Sequence, residues 1–166
     1  MNRMKQFYIN LTDRMNTEDY EYVKSILKDN EYELFNKLLK SEQKHSVRVA
    51  REIQDSIDYI VVDDFDIVRN RDLLIKASLL HDIGKIKAKV NIIDKSVIVI
   101  LNKITKGRLR LLNHKKIDCY YNHSKYSYEL LKEIESNKVL LDIVENHHSE
   151  SNNKLIIFFQ SIDDNN

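Results

Sequence analysis

Apolar residues recur along this chain at intervals of three and four, the spacing of one face of an α-helix. Thr17 is placed to cap a first helix, with Glu18 and Asp19 in its first turn and Tyr20, Val23 and Leu27 on one face. Leu34, Phe35, Leu38 and Leu39 predict a second, short helix over about 31–39. Ser41 can cap a third that continues to about Ile57, where His45, Val49 and Ile53 follow at i, i+4 and i+8. His45 therefore leans toward the core. Asp72 opens the run LLIKASLLHD, apolar nearly all round as in a buried central helix, with Gly84 as its terminator. A second oily helix runs from about Ile92 to Lys103 and ends near Gly107. Three more are predicted, over about 122–134, 137–148 and 153–164.

Proline is absent and glycine occurs only at 84 and 107, too little of either for a turn-rich β fold. The expectation is an all-α, single-domain bundle of about seven or eight helices, its core over about 17–164. A chain of 166 residues is long enough to bury such a core. The formal charge of +1 gives no wholesale attraction to polyanions, so contact with duplex nucleic acid is not expected. Cys119 stands alone, and the stretch MNRMKQFYINLTDRM lacks the apolar centre of a signal peptide. The oily stretch from Val90 to Ile104 is interrupted by Asn91, Asp94, Lys95 and Asn102, short of the ~18 apolar residues of a membrane span. A cytoplasmic protein is expected.

The chemistry lies in histidines and aspartates. Within LLHDIGKIK, His81-Asp82 ends the most apolar helix, a costly place for two chargeable groups unless something pairs with them. His147 follows Leu140 and Ile143 at i+7 and i+4, and His148 follows Val144 at i+4. Asp163 shares the face of Ile156 and Phe159, whereas Asp164 should meet water. The core side thus offers His45, His81, Asp82, His123, His147, His148 and Asp163. Imidazoles and carboxylates on the inner faces of a helical bundle are what a divalent-metal site requires. His114, amid Arg108, Arg110, Lys115 and Lys116, reads as a surface residue.

The order and wording of these residues resemble the HD superfamily of metal-dependent phosphohydrolases: His45 within KHSVRVA, HDIGK at 81–85, then His123, His147-His148 and Asp163. SEQKHSVRVA and the oily stretch after HDIGK also resemble small stand-alone HD proteins of clostridia-like bacteria. The resemblance implies that His45, His81, Asp82 and Asp163 hold one metal ion. It further implies that His123, His147 and His148 hold a second, with Asp82 bridging, as in HD-GYP phosphodiesterases. Nitrogen and carboxylate donors without a thiolate favour iron, manganese, cobalt or magnesium over zinc. By the same resemblance Lys85 contacts a substrate phosphate, and a metal-activated water attacks phosphorus with Asp82 at the catalytic centre. The implied activity is hydrolysis of a phosphoester of a nucleotide or a cyclic or linear dinucleotide. The chain departs from the HD-GYP pattern: ENHHSESNNKLII contains no glycine.

Two other classes fit the same residues: a non-catalytic signalling or binding module, and an HD-type di-iron oxygenase. Metal content and oxygen uptake separate them from a hydrolase. The segment KITKGRLRLLNHKK, 103–116, carries no acid and reads either as a solvated loop or as a basic surface. As a basic surface, Arg108 and Arg110 would bind an anionic substrate. The oily VIVILNKI beside it reads as core. If exposed, the stretch 90–116 becomes a contact for a membrane surface or a second copy of the chain. Tyr120, Tyr121, Tyr126 and Tyr128 around His123 fit helix packing or stacking on a base.

Overall fold

The computed structural model describes residues 12–59, 64–90 and 92–166. Nine α-helices occur among them, and no strand. In chain order they are α1 (Thr17–Ile26), α2 (Asp29–Asn36), α3 (Lys40–Asp58), α4 (Phe65–Arg69), α5 (Arg71–Leu80), α6 (Ile92–Ile104), α7 (Lys115–Leu131), α8 (Lys138–Asn146) and α9 (Lys154–Asp163). Two single 3₁₀ turns, Ile83–Lys87 and Arg108–Leu111, follow α5 and α6. The all-α expectation holds. The additional helix is α4, too short for its apolar spacing to stand out.

Several helix ends differ from the sequence reading. Asn16, not Thr17, caps α1: its side chain accepts from Asp19 N at 2.9 Å while the Asp19 carboxylate accepts from Asn16 N at 3.1 Å. Leu39 rather than Ser41 occupies the cap position of α3, and α5 starts at Arg71, after Asn70. Helix α7 starts at Lys115, seven residues ahead of the expected start at Asn122, because the His114 ring accepts from Lys116 N and caps it. The basic segment is therefore not one loop. It forms the end of α6, a turn, and the start of α7.

Helix α5 is the axis of the bundle. Leu74, Ile75, Ala77, Ser78, Leu79 and Leu80 are all buried, as the near-continuous apolar pattern predicts. It packs on α3 along one side and on α8 along another, with α9 closing over both. Phe35, Ile53, Leu131, Leu140, Ile143 and Phe159 fill the space around it with almost no exposure. Lys76 on α5 reaches Glu31 and Glu135 at 2.6 Å each, tying α2 and the loop after α7 to the same axis. A separate small cluster of Val90, Ile98, Leu109 and Cys119 holds α6 and the second 3₁₀ turn against α7.

Gly84 does not terminate α5 through a left-handed conformation; the positive-φ glycine is Gly107, at +82°. Gly84 is required for another reason. The 3₁₀ turn that carries it lies directly on α7, where a β-carbon would come within 2.1 Å of the His123 carbonyl oxygen. The Gly84 N–H donates to Ser127 Oγ at 2.8 Å across this contact. Gly107 ends α6: its N–H donates to Asn102 O at 2.9 Å, in the 6→1 pattern of a Schellman turn.

Candidate metal centre

The bundle gathers seven side chains from five helices or helix ends. His45 comes from the middle of α3, and His81 and Asp82 from the turn leaving α5. His123 projects from the middle of α7 and not from a helix start. His147 and His148 follow α8, and Asp163 is the last residue of α9.

Three of the rings are oriented in one way. The Nδ1 atoms of His81, His123 and His147 face the backbone carbonyls three residues earlier: Ser78 O at 2.8 Å, Tyr120 O at 2.9 Å and Val144 O at 2.7 Å. Each carbonyl fixes the proton on Nδ1 and leaves Nε2 as a lone-pair donor turned inward.

Those Nε2 atoms surround two carboxylates. Asp82 Oδ2 lies 3.3 Å from His81 Nε2, and Asp82 Oδ1 lies 3.2 Å from His123 Nε2 and 4.0 Å from His147 Nε2. Asp163 Oδ1 lies 3.0 Å from His45 Nε2 and 3.5 Å from His81 Nε2. His148 Nε2 is 3.1 Å from His123 Nε2, too close for two lone pairs unless a proton or a cation lies between them. His81 Nε2, Asp82 Oδ1 and His147 Nε2 are buried atoms that make no hydrogen bond of acceptable geometry. Buried polar atoms left in this way are costly, and a shared cation satisfies them together.

Three overlapping groups bring their donor atoms within 4.8 Å of one another: His45, His81 and Asp163; His81, Asp82 and His147; His123, His147 and His148. These residues fit divalent metal. The first group would hold one ion and the last another, with Asp82 in between.

The electrostatics point the same way. Burial alone would raise the Asp82 carboxyl, but His81, Lys85 and His123 hold it well below the usual range. Asp163, raised by burial, is likewise held low by His81 and His45. Burial opposes charge on His81, yet Asp82 and Asp163 together raise its pKa to about 10. The two carboxylates thus favour positive charge at this point of the cluster. Burial and the neighbouring His81 and His148 push His147 far down. His148, expected on the core side, stands exposed at the rim of the cluster, where partial burial and His123 lower its pKa to about 4.

The cluster opens onto two adjoining cavities. One, of about 190 Å³, is polar and bordered by His45, Asp82, Asp163, Glu42, Lys85 and Lys95. The other, of about 360 Å³, continues past His123 and His148 to Tyr120, Tyr121 and Val90. Lys85 sits at the junction but is not a solvated lysine: it donates to Asp82 Oδ2 and Glu42 Oε2 at 2.6 Å each. Burial opposes its charge, but these two carboxylates raise its pKa.

Arg108 and Arg110 do not line the two cavities at the cluster. Beside the left-handed turn at Gly107, both exposed side chains line a neighbouring surface pocket, with Lys106 and Leu111, that shares Asn102 and Tyr121 with the second cavity. Tyr126 and Tyr128 lie outside the two cavities, whereas Tyr120 and Tyr121 line the second. Glu42 and Lys95 border the site without having been singled out in the sequence. Glu42 stands three residues before His45 on one face of α3, and Lys95 stands seven before Asn102 on one face of α6. That periodicity is the signal that finds them.

The family model of the HD domain matches residues 43–163, and the chain belongs to that family. Comparison with curated proteins and with solved structures gave no match.

Proposed function

We propose that this chain is a metal-dependent phosphohydrolase that cleaves a phosphoester of a nucleotide or a dinucleotide. The observation that carries the reading is Asp82: a buried carboxylate with a histidine Nε2 near each oxygen, opening onto a cavity lined by lysines. Divalent ions held there would activate water and neutralise charge developing on phosphorus. The chain's own residues do the rest. Lys85, itself held by Glu42, holds the Asp82 carboxylate in place. Lys95, exposed at the rim of both cavities, receives the phosphate as a point charge. Tyr120 and Tyr121, at the apolar end, offer rings against which a nucleobase stacks.

The test begins with metal content of protein purified without chelators. Bis-p-nitrophenyl phosphate, nucleoside monophosphates and dinucleotides are then offered in the presence of manganese, iron, cobalt or magnesium. The expected result is metal-dependent phosphoester cleavage that disappears in Asp82→Asn. Oxygen consumption without phosphoester cleavage would move the chain to the oxygenase class. Bound metal with neither activity would make it a binding module.

A further inference from the structure

Helix α6 was expected to bury its oily side chains, and it buries few of them. Ile98 packs into the small cluster beside α7, at 5% exposure. On the opposite side, Ile93, Val97, Ile100 and Ile104 follow at i, i+4, i+7 and i+11 and stand open to solvent, from 48% to 70% exposed. Leu111 and Leu112 extend this surface past the end of the helix, at 77% and 57%. A contiguous apolar face of this kind on a charged protein marks a contact surface.

Its surroundings carry one sign of charge. Lys103, Lys106, Arg108 and Arg110 are exposed around the end of α6, three of them lining one surface pocket with Leu111. The acid on the helix, Asp94, pairs with Lys116 at 2.7 Å. A thirteen-residue helix is about 20 Å long, too short to cross a bilayer, and no described helix is long and apolar enough to do so. An apolar stripe ending in a cluster of lysine and arginine is the pattern of a helix lying in the headgroup region of an anionic bilayer.

We propose that this face docks the protein onto membranes containing anionic lipid, with the α6 stripe and Leu111 and Leu112 among the acyl chains and the basic residues against headgroup phosphates. A second copy of the chain is the less suitable occupant. The one acid that a facing α6 would offer these cations, Asp94, is already held by Lys116 at 2.7 Å. The proposal is independent of the catalytic reading, because it concerns residues outside the metal centre.

The experiment is flotation of the full chain with vesicles of phosphatidylcholine alone and of phosphatidylcholine mixed with phosphatidylglycerol. The chain should float with the mixed vesicles, release in high salt, and ignore the neutral ones. Ile100→Ser with Ile104→Ser, and separately Arg108→Glu with Arg110→Glu, should each weaken binding at least about tenfold. Both pairs are exposed, so thermal unfolding should be unchanged and will identify a misfolded variant. The chain has no tryptophan, so Ile100→Trp gives a second readout: its emission should shift to the blue with mixed vesicles and be quenched by brominated acyl chains. Absence of flotation together with an unshifted Ile100→Trp emission would overturn the proposal. So would a solution dimer, abolished by Ile100→Ser with Ile104→Ser, in a chain that ignores vesicles.

Discussion

Asp82 Oδ1 lies 3.2 Å from His123 Nε2, joining the turn that leaves α5 to the middle of α7. His123 also stands 3.1 Å from His148, on the side of the cluster away from His45. Replacing it should therefore remove one half of the centre and spare the other. Elemental analysis should find about two transition-metal ions in the wild-type chain and about one in His123→Ala. His45→Ala should also lower the count to about one, from the opposite side. Asp82→Ala should lose both ions. An unchanged count in His123→Ala would remove that residue from the site.

The contact of Gly84 with α7 leaves no room for a side chain. A methyl group there would meet the His123 carbonyl oxygen at 2.1 Å and Ser127 N at 2.7 Å, both of them backbone atoms of a helix. Gly84→Ala must push the 83–87 turn off α7, at a cost of about 3 kcal/mol. Thermal unfolding should fall by roughly 6–12 °C for a chain of this size. Because Asp82 and His123 lie on either side of the same contact, metal content should fall with it. A Gly84→Ala protein with wild-type melting temperature and metal content would sink this account.

What the sequence disclosed follows from where its signals are local. His45, His147 and Asp163 could be placed inward because each shares a 3.6-residue stripe with valine, leucine, isoleucine or phenylalanine, and the bundle gathers them at one place. The role of Gly84 is set by α7, some forty positions away, and such a tertiary contact leaves no local mark in the sequence. Arg108 and Arg110 looked like substrate ligands through charge alone. The left-handed turn at Gly107, beside which they line the neighbouring pocket and not the cavities themselves, depends on backbone geometry. Helix α6 was expected in the core because its residues are apolar nearly throughout, and periodicity cannot say which of several oily faces finds a partner.

Glu135 makes stability depend on acid. Burial would raise its pKa, but Lys76 at 2.6 Å and the Asn137 N–H lower it to about 2. A carboxylate depressed in the fold stabilises above its unfolded pKa, about 4.5, and that contribution fades as pH falls from there toward 2. Its size is on the order of 2 kcal/mol. Glu135→Gln should lower stability in urea at pH 7 by that order and flatten the loss between pH 5 and 3. Urea midpoints at pH 7, 5 and 3 for both proteins provide the check, and parallel curves would exclude the role.

Lys85 and Lys95 both border the polar cavity, but their partners assign them different work. Two of the three N–H donors of Lys85 are held by Asp82 and Glu42, and the side chain is 10% exposed. Lys85→Met strands two buried carboxylates, and breaking such a buried pairing costs roughly 3–5 kcal/mol. It should lower stability and kcat together, and Glu42→Gln should move both in the same direction to a smaller extent. Lys95 is exposed at the rim, so Lys95→Met should leave the melting temperature in place. Loss of one charge-assisted contact to phosphate, about 1.5–3 kcal/mol, predicts a KM raised at least tenfold with kcat little changed. If Lys85→Met instead raised KM alone and left the fold intact, Lys85 would be the phosphate ligand and Lys95 a bystander.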